Sequence, residues 1–210
     1  MGSTNINSLL IAAGFSSRMG KFKPLLLFQN EPIIISIIKK LLTFNSRIFV
    51  VTGFKEREII LAIEKYFTET ELKEKIVFVS NPVFEKGMFT SLQKGLTKAK
   101  DCDWLLYHFV DQPQLPQIFY TDFIAQTDDN YEWIQPAYKE RKGHPVLIRK
   151  SIFDSILEAD ENSSLKEVTN AKNLNKKIWD CNYKEILVDI DTPEDYNELL
   201  LINESEKRII

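Results

Sequence analysis

Short, wholly apolar runs alternate along this chain with longer stretches whose apolar residues recur every three or four positions, and few folds satisfy that alternation. Residues 8–12 (SLLIA) make the first apolar run and predict a buried strand. Ile33, Ile34, Ile37, Ile38, Leu41 and Leu42 repeat at helical spacing, so a helix is expected over 33–44. Residues 47–51 (RIFVV) predict a second strand, followed by Gly53 and a helix over 56–66. Further strands are expected at 76–79 and 104–109, with helices at 89–98 and 117–127. Strand then helix, repeated, requires right-handed crossovers and a mainly parallel sheet.

The pattern changes after Tyr131. Residues 133–137 and 145–149 read as strands joined by the polar turn 138–143, a small antiparallel excursion. A helix is expected at 151–158, a strand at 185–190, and a last helix from Pro193 to about Leu201. The 210 residues fit one domain, 1–210, with 1–7 and 203–210 as flexible ends.

Charge and composition exclude several classes. A net charge of −3 with scattered lysines leaves no electrostatic footprint for nucleic acid. The longest apolar stretch, 33–42, is too short to span a membrane and carries Lys39 and Lys40. Cys102 and Cys181 have no partner spacing, and His108 and His144 do not complete a zinc set with them. The N-terminus lacks the basic region of a signal peptide, so a cytoplasmic protein is expected.

In open parallel sheets ligands bind beyond the carboxyl ends of the strands, and the unusual residues of this chain fall there. Directly after the first strand come Ala12, Ala13, Gly14, Phe15, Ser16, Ser17, Arg18, Met19, Gly20, Lys21, Phe22 and Lys23. Gly14 and Gly20 allow close backbone approach to an anion, and Ser16 and Ser17 add hydroxyls. Arg18 and Lys23 supply fixed positive charge. The spacing matches neither the P-loop nor the dinucleotide-binding fingerprint. Asp111 ends a buried strand, where a carboxylate needs a cation or donors, or else caps the next turn. Asp189 and Asp191 stand two apart and are expected on one face of a strand end. Thr192-Pro193-Glu194-Asp195 reads as a helix start. Gly87 and Ser91 lie at the start of a helix, where free N–H groups favour anions or ribose hydroxyls. His144, between Gly143 and Pro145, reads either as a turn residue or as a ligand contact.

The order G-x-S-x-R-M-G-x-x-K-x-L-L resembles the signature loop of the nucleotidyltransferases that finish the molybdenum cofactor. Asn81-Pro82 with Gly87-Met88 and Ser91-Leu92, then Asp111-Gln112-Pro113, Gly143-His144-Pro145 and Asp189-Ile190-Asp191-Thr192-Pro193 extend the likeness over most of the chain. They match the cytidylyltransferase branch, and Ala13 in the first loop favours a pyrimidine base.

The resemblance implies a three-layer αβα, Rossmann-like α/β fold of the nucleotide-diphospho-sugar transferase type. It implies transfer of a cytidylyl group from CTP to molybdopterin with release of pyrophosphate. Guanylyl transfer to the same cofactor and transfer to a sugar or alditol phosphate are alternatives. A further one is a non-catalytic protein that binds the cofactor and delivers it to an apo-molybdoenzyme, a molybdenum hydroxylase. By the same resemblance Ala12, Ala13, Gly14, Ser16, Arg18, Lys23, Gly87 and Ser91 would bind the nucleotide. Arg18, Lys23 and Asp111 would be catalytic, and Gly143 and His144 would meet the acceptor. Asp111 and Asp191 would hold Mg²⁺, with Asp189 the other candidate. A phosphate nucleophile is already ionised near neutral pH, so the absence of a nucleophile–His–acid set agrees with this chemistry.

Overall fold

The computed structural model describes residues 4–44 and 46–207. Strand β1 (Ile6–Ile11) runs into the loop at 12–23. The two-residue strands β2 (Leu27–Phe28) and β3 (Glu31–Pro32) pair as a hairpin and feed helix α1 (Ile33–Leu41). Next come β4 (Ile48–Thr52), α2 (Glu56–Tyr66), the short α3 (Thr70–Glu74) and β5 (Ile76–Ser80). Helix α4 (Met88–Ala99), β6 (Trp104–Phe109) and α5 (Gln117–Ile124) complete the first half. The second half holds β7 (Trp133–Tyr138), β8 (Arg141–Lys142), β9 (Val146–Arg149), α6 (Phe153–Glu158), α7 (Leu165–Ala171), β10 (Lys176–Asp180) and α8 (Pro193–Lys207).

The main sheet has the order β10-β7-β9-β6-β1-β4-β5, with β8 hydrogen-bonded to β7. Strands β6, β1, β4 and β5 are parallel neighbours, while β9 is antiparallel to both β6 and β7. The expected antiparallel excursion is therefore present. Lys139 and Glu140, both with left-handed φ, make the two-residue turn between β7 and β8.

Alternation along β1 sends Leu10 to one face and Leu9 and Ile11 to the other. The first face is covered by α1 and α5, the second by α4 and α6. Helix α1 is apolar nearly all round, and Ile33, Ile34, Ile35, Ile37, Ile38 and Leu41 are fully buried. Each such side chain contributes about 1.5–3 kcal/mol by leaving water. That burial anchors the segment following the first loop.

From β1 the chain steps outward to β4 and β5, then returns to the other side of β1 as β6. Strand order reverses there, and a crevice opens beyond the carboxyl ends of β1 and β6. Ile11 and Phe109 are in register, so the loops after both strands leave the sheet at one level.

One expectation needs correction, and two elements go beyond those expected. Residues 185–190 form no strand; Lys184–Leu187 is a 3-10 turn. Side-chain amides take the carbonyls that a ladder would use: Gln112 donates to Ile186, and Gln114 to Glu185 and Val188. Helix α7 and strand β10 were not expected at all, and β10 closes the sheet edge beside β7. At the ends, Ile6 and Asn7 are buried in β1, and α8 continues to Lys207. Residues 1–3 and 208–210 of the expected flexible ends lie outside the described residues.

Gly95 shows how tightly α4 meets the sheet. A Cβ there would stand 2.2 Å from Leu9 Cδ1 and 2.8 Å from Val51 Cγ2. Gly95→Ala should therefore lower stability by about 1–3 kcal/mol, read from urea unfolding, despite alanine's better helix propensity.

Candidate active site

The loop after β1 is shaped by two residues with left-handed φ, Ser16 and Gly20, flanking the turn Ser17–Met19. Met19 is buried and pins the turn to the core. Ser16 Oγ accepts the backbone N–H of Lys23 at 3.2 Å, which closes the loop on itself. Ala12, Gly14, Ser16, Arg18 and Lys23 all reach the wall of one cavity of about 440 Å³. At Gly14 a Cβ would meet nothing within 4 Å. The protein itself does not demand glycine there, and the open space suits close approach of a ligand to the backbone.

The two cations differ in mobility. The Lys23 side chain is 11% exposed and its Nζ donates to Asp191 Oδ1 at 3.0 Å. Arg18, 72% exposed, meets Asp191 Oδ2 at 3.1 Å. An exposed pair of that kind contributes less than about 1 kcal/mol, so Arg18 is an arm free to change partners. Asp191 is fixed from behind, because Asp195 Oδ2 accepts the N–H groups of both Asp191 and Thr192. Thr192 Oγ1 accepts Asp195 N–H in return, so Thr192 and Asp195 start α8 as expected and are not among the residues lining the cavity.

Asp111 lies where the sequence places it, beyond β6, and it lines the same cavity with Asp189 and Asp191. Its Oδ1 is shut off from solvent without a hydrogen-bond partner. Burial, reinforced by the charge of Asp189 and opposed by Lys23, pushes its carboxyl up to about 6. Asp111 C=O accepts Ile190 N–H at 2.9 Å, and Gln112 Nε2 donates to Asp189 Oδ1 at 2.9 Å. Thus Asp189 is presented to Asp111, while Asp191 is presented to the cations. The shared strand face expected for these two acids does not exist, since the segment is not a strand.

A second cavity of about 710 Å³ adjoins the first, and Met88, Phe109 and His144 belong to the walls of both. Its apolar surface comes from Phe89, Tyr107, Phe109 and Trp133. Lys86, Lys142, Lys166 and Lys176 add positive charge around it. The His144 ring stands edge-on to Phe109 at 5.1 Å, and burial lowers its pKa while Asp189 acts in the opposite direction. His144 precedes a cis peptide bond to Pro145.

Four residues singled out in the sequence sit elsewhere. Ser91 is buried and its hydroxyl accepts from Asn81 Nδ2 at 2.9 Å, so it locks the turn after β5 onto α4 and lines neither cavity. Ala13 is buried too, its carbonyl taken by Phe54 N–H. Gly87, with φ 113°, caps α4 and lines the second cavity, away from Arg18 and Lys23. Gly143 lines neither cavity. A Cβ there would stand 2.4 Å from Ile186 O, so its role is close packing against the turn that leads to Asp189. Gln112, the lysines and the aromatic surface of the second cavity were missed. For Gln112 the signal was available: a buried amide beside an acid at a strand end needs partners.

Cations, acids and an open loop meet at the switch point, and comparison with known proteins gives the class, a nucleotidyltransferase. Residues 8–177 match the family model described as the MobA-like NTP transferase domain. This chain belongs to that family. It is 28% identical over 192 residues to molybdenum cofactor cytidylyltransferase of Escherichia coli K12, covering 91% of this chain and 93% of the relative. It is 24% identical over 203 residues to a probable molybdenum cofactor guanylyltransferase of Bacillus cytotoxicus, covering 93% and 96%. Among solved structures, a nucleotidyl transferase from Methanothermobacter superposes with a TM-score of 0.76 at 20% identity, covering 95% of this chain and 97% of that one. Among the described residues no helix is long and apolar enough to cross a membrane.

The raised Asp111 carboxyl has a measurable consequence. The folded state holds that proton more tightly than the unfolded chain, so its contribution is full below about pH 4 and lost as pH rises through about 6. Asp111→Asn should therefore be more stable than the parent at pH 7–8, by roughly 1–2 kcal/mol after allowance for solvent screening. Thermal unfolding at pH 4 and pH 8 reads this: the gain should vanish at the lower pH.

Proposed function

We propose that this protein transfers a cytidylyl group from CTP to the phosphate of a molybdopterin-type acceptor and releases pyrophosphate. An acceptor phosphate oxygen attacks the α-phosphorus as the bond to the leaving pyrophosphate breaks. The observation that carries this reading is the convergence of Arg18, Lys23, Asp111, Asp189 and Asp191 on one cavity. Arg18 and Lys23 bind triphosphate oxygens and offset the charge that grows on the departing pyrophosphate. Gly14 leaves room for the nucleotide to lie against the loop backbone.

Mg²⁺ fits the acids present. Among the described residues no three His, Cys, Asp or Glu side chains form a cluster that could hold a metal. Mg²⁺, however, takes one or two carboxylates and completes its shell with substrate phosphates and water. The unpartnered, buried Oδ1 of Asp111 would supply one ligand, and Asp191 or Asp189 the other. Bound there, the ion would neutralise negative charge between the phosphates and the acids. Arg18, an exposed arm, would be free to turn from Asp191 to the phosphates.

The second cavity suits the acceptor. Its aromatic surface favours a flat ring system, and its lysines favour an anion. His144, on the shared wall, would stand where acceptor phosphate and nucleotide meet. Support for cytidylyl transfer comes from the higher identity to the cytidylyltransferase than to the guanylyltransferase relative.

The test is a panel of CTP, GTP, ATP and UTP with Mg²⁺ and molybdopterin, scored by pyrophosphate release. CTP should lead by at least about tenfold in kcat/KM, a difference of about 1.4 kcal/mol. A lead for GTP would make the protein a guanylyltransferase, and no pyrophosphate from any pair would end the reading. Asp111→Asn should lose about 100-fold or more in kcat. Gly14→Ala should keep its melting temperature yet bind CTP at least about tenfold more weakly, because the added methyl enters only the ligand's space.

A further inference from the structure

The segment that carries Asp111 is held from two sides. On one side Gln112 and Gln114 tie it to residues 185–189. The other side faces the C-terminal turn of α1, where the Lys40 ammonium donates to Pro113 O at 2.5 Å and Leu115 O at 2.8 Å. Neither of those contacts is to a carboxylate. The backbone there is tied as well: Gln117 Nε2 donates to Lys40 O and to Thr43 Oγ1. Helix α1 is buried except at Lys39 and Lys40, and the β2–β3 hairpin joins it to the loop that carries Lys23. A rigid path therefore joins the cation loop to the acid loop, and Lys40 is its last link.

We propose that Lys40 is a positioning residue: by holding the carbonyls of Pro113 and Leu115 it fixes the loop at 111–116, and so sets Asp111 against Lys23. Lys40 touches no part of either cavity and acts through the loop alone. The inference rests on the reading of Asp111 as part of the transfer site, but its structural half stands apart from any substrate. Charged donors make the stronger hydrogen bonds, so the grip depends on the ammonium form. The groups facing it are Glu31 on β3 and His108 on β6, the latter bonded through Nε2 to Tyr120 OH on α5. Burial brings the Lys40 amine down to about 8, with Glu31 opposing that shift. The neighbouring His108 stays neutral, its pKa lowered to about 3 by burial and, to a lesser degree, by Lys40.

The experiment follows the side-chain amide signals of Gln112 and Gln114 by ¹H–¹⁵N NMR from pH 6.5 to 9.5 in the parent protein, Lys40→Arg and Lys40→Met. In the parent both signals should move with a midpoint near pH 8. In Lys40→Arg, which stays charged, that step should be absent. Paired kinetics should show kcat of Lys40→Met lower by tenfold to about 100-fold with KM for CTP within about threefold, since misplacement affects the reacting geometry more than binding. Lys40→Arg should recover most of kcat and hold it to higher pH than the parent. A midpoint near pH 8 that persists in Lys40→Arg, or no such step in the parent, would overturn the proposal, as would a Lys40→Met protein with parental kcat. Absence of turnover in the parent would count against the function reading alone, because the NMR comparison needs no substrate. If Lys40→Met does not fold, the comparison of Lys40→Arg with the parent still decides the matter.

Discussion

An ammonium almost sealed from water has to be met by negative charge or by hydrogen-bond acceptors, and Lys23 is met by Asp191 from 168 residues further along the chain. Much of the site follows from that requirement. For the two side chains to meet, the loop after β1 and the segment before α8 must be brought to the same crevice. The switch in strand order between β1 and β6 provides the crevice, and the buried α1 keeps the lysine loop from retreating. The carboxylate is held in place by the start of α8, where Thr192 and Asp195 bind each other's backbone N–H groups.

The acids are separated by task. Asp111 is buried beside Asp189 and its carboxyl is raised, whereas Asp191 sits between two cations. Gluing them together are uncharged amides, with Gln112 and Gln114 binding the backbone of the irregular stretch at 185–188. Amides do this without adding charge to a region already crowded with carboxylates. In the proposed transfer, the cost of concentrating negative charge would be relieved by a cation entering together with the polyphosphate.

Much of this was legible in the sequence. Strand β6 and helix α2 have the expected bounds, and β1, β4, β5 and α4 differ by one or two residues, because buried strands and amphipathic helices write their periods directly. Arg18, Lys23 and Asp111 reach one cavity as their positions after strands implied, and Asp191 joins them although no strand precedes it. The errors have physical sources. Residues 185–190 alternate like a strand, with Ile186 and Ile190 buried, but glutamine side chains rather than a neighbouring strand satisfy the backbone. Strand β10 is lysine-rich and half exposed at the sheet edge, so its apolar signal is weak. Helix α7 did carry a signal, the capping box of Ser164 and Glu167, which went unread. The roles of Ser91 and Gly143 were not separable from ligand binding until their neighbours Asn81 and Ile186 were seen.

In the proposed reaction one polyphosphate is gripped jointly by the first loop and the later acids. The direct measurement is a crystal structure with Mn²⁺ and a non-hydrolysable CTP analogue, using the anomalous signal of manganese to mark the metal. A manganese peak is expected within bonding distance of Asp111 and of Asp189 or Asp191, with the analogue's phosphates on Lys23 and Arg18. Manganese away from Asp111, or phosphates bound outside the loop at 12–23, would contradict it.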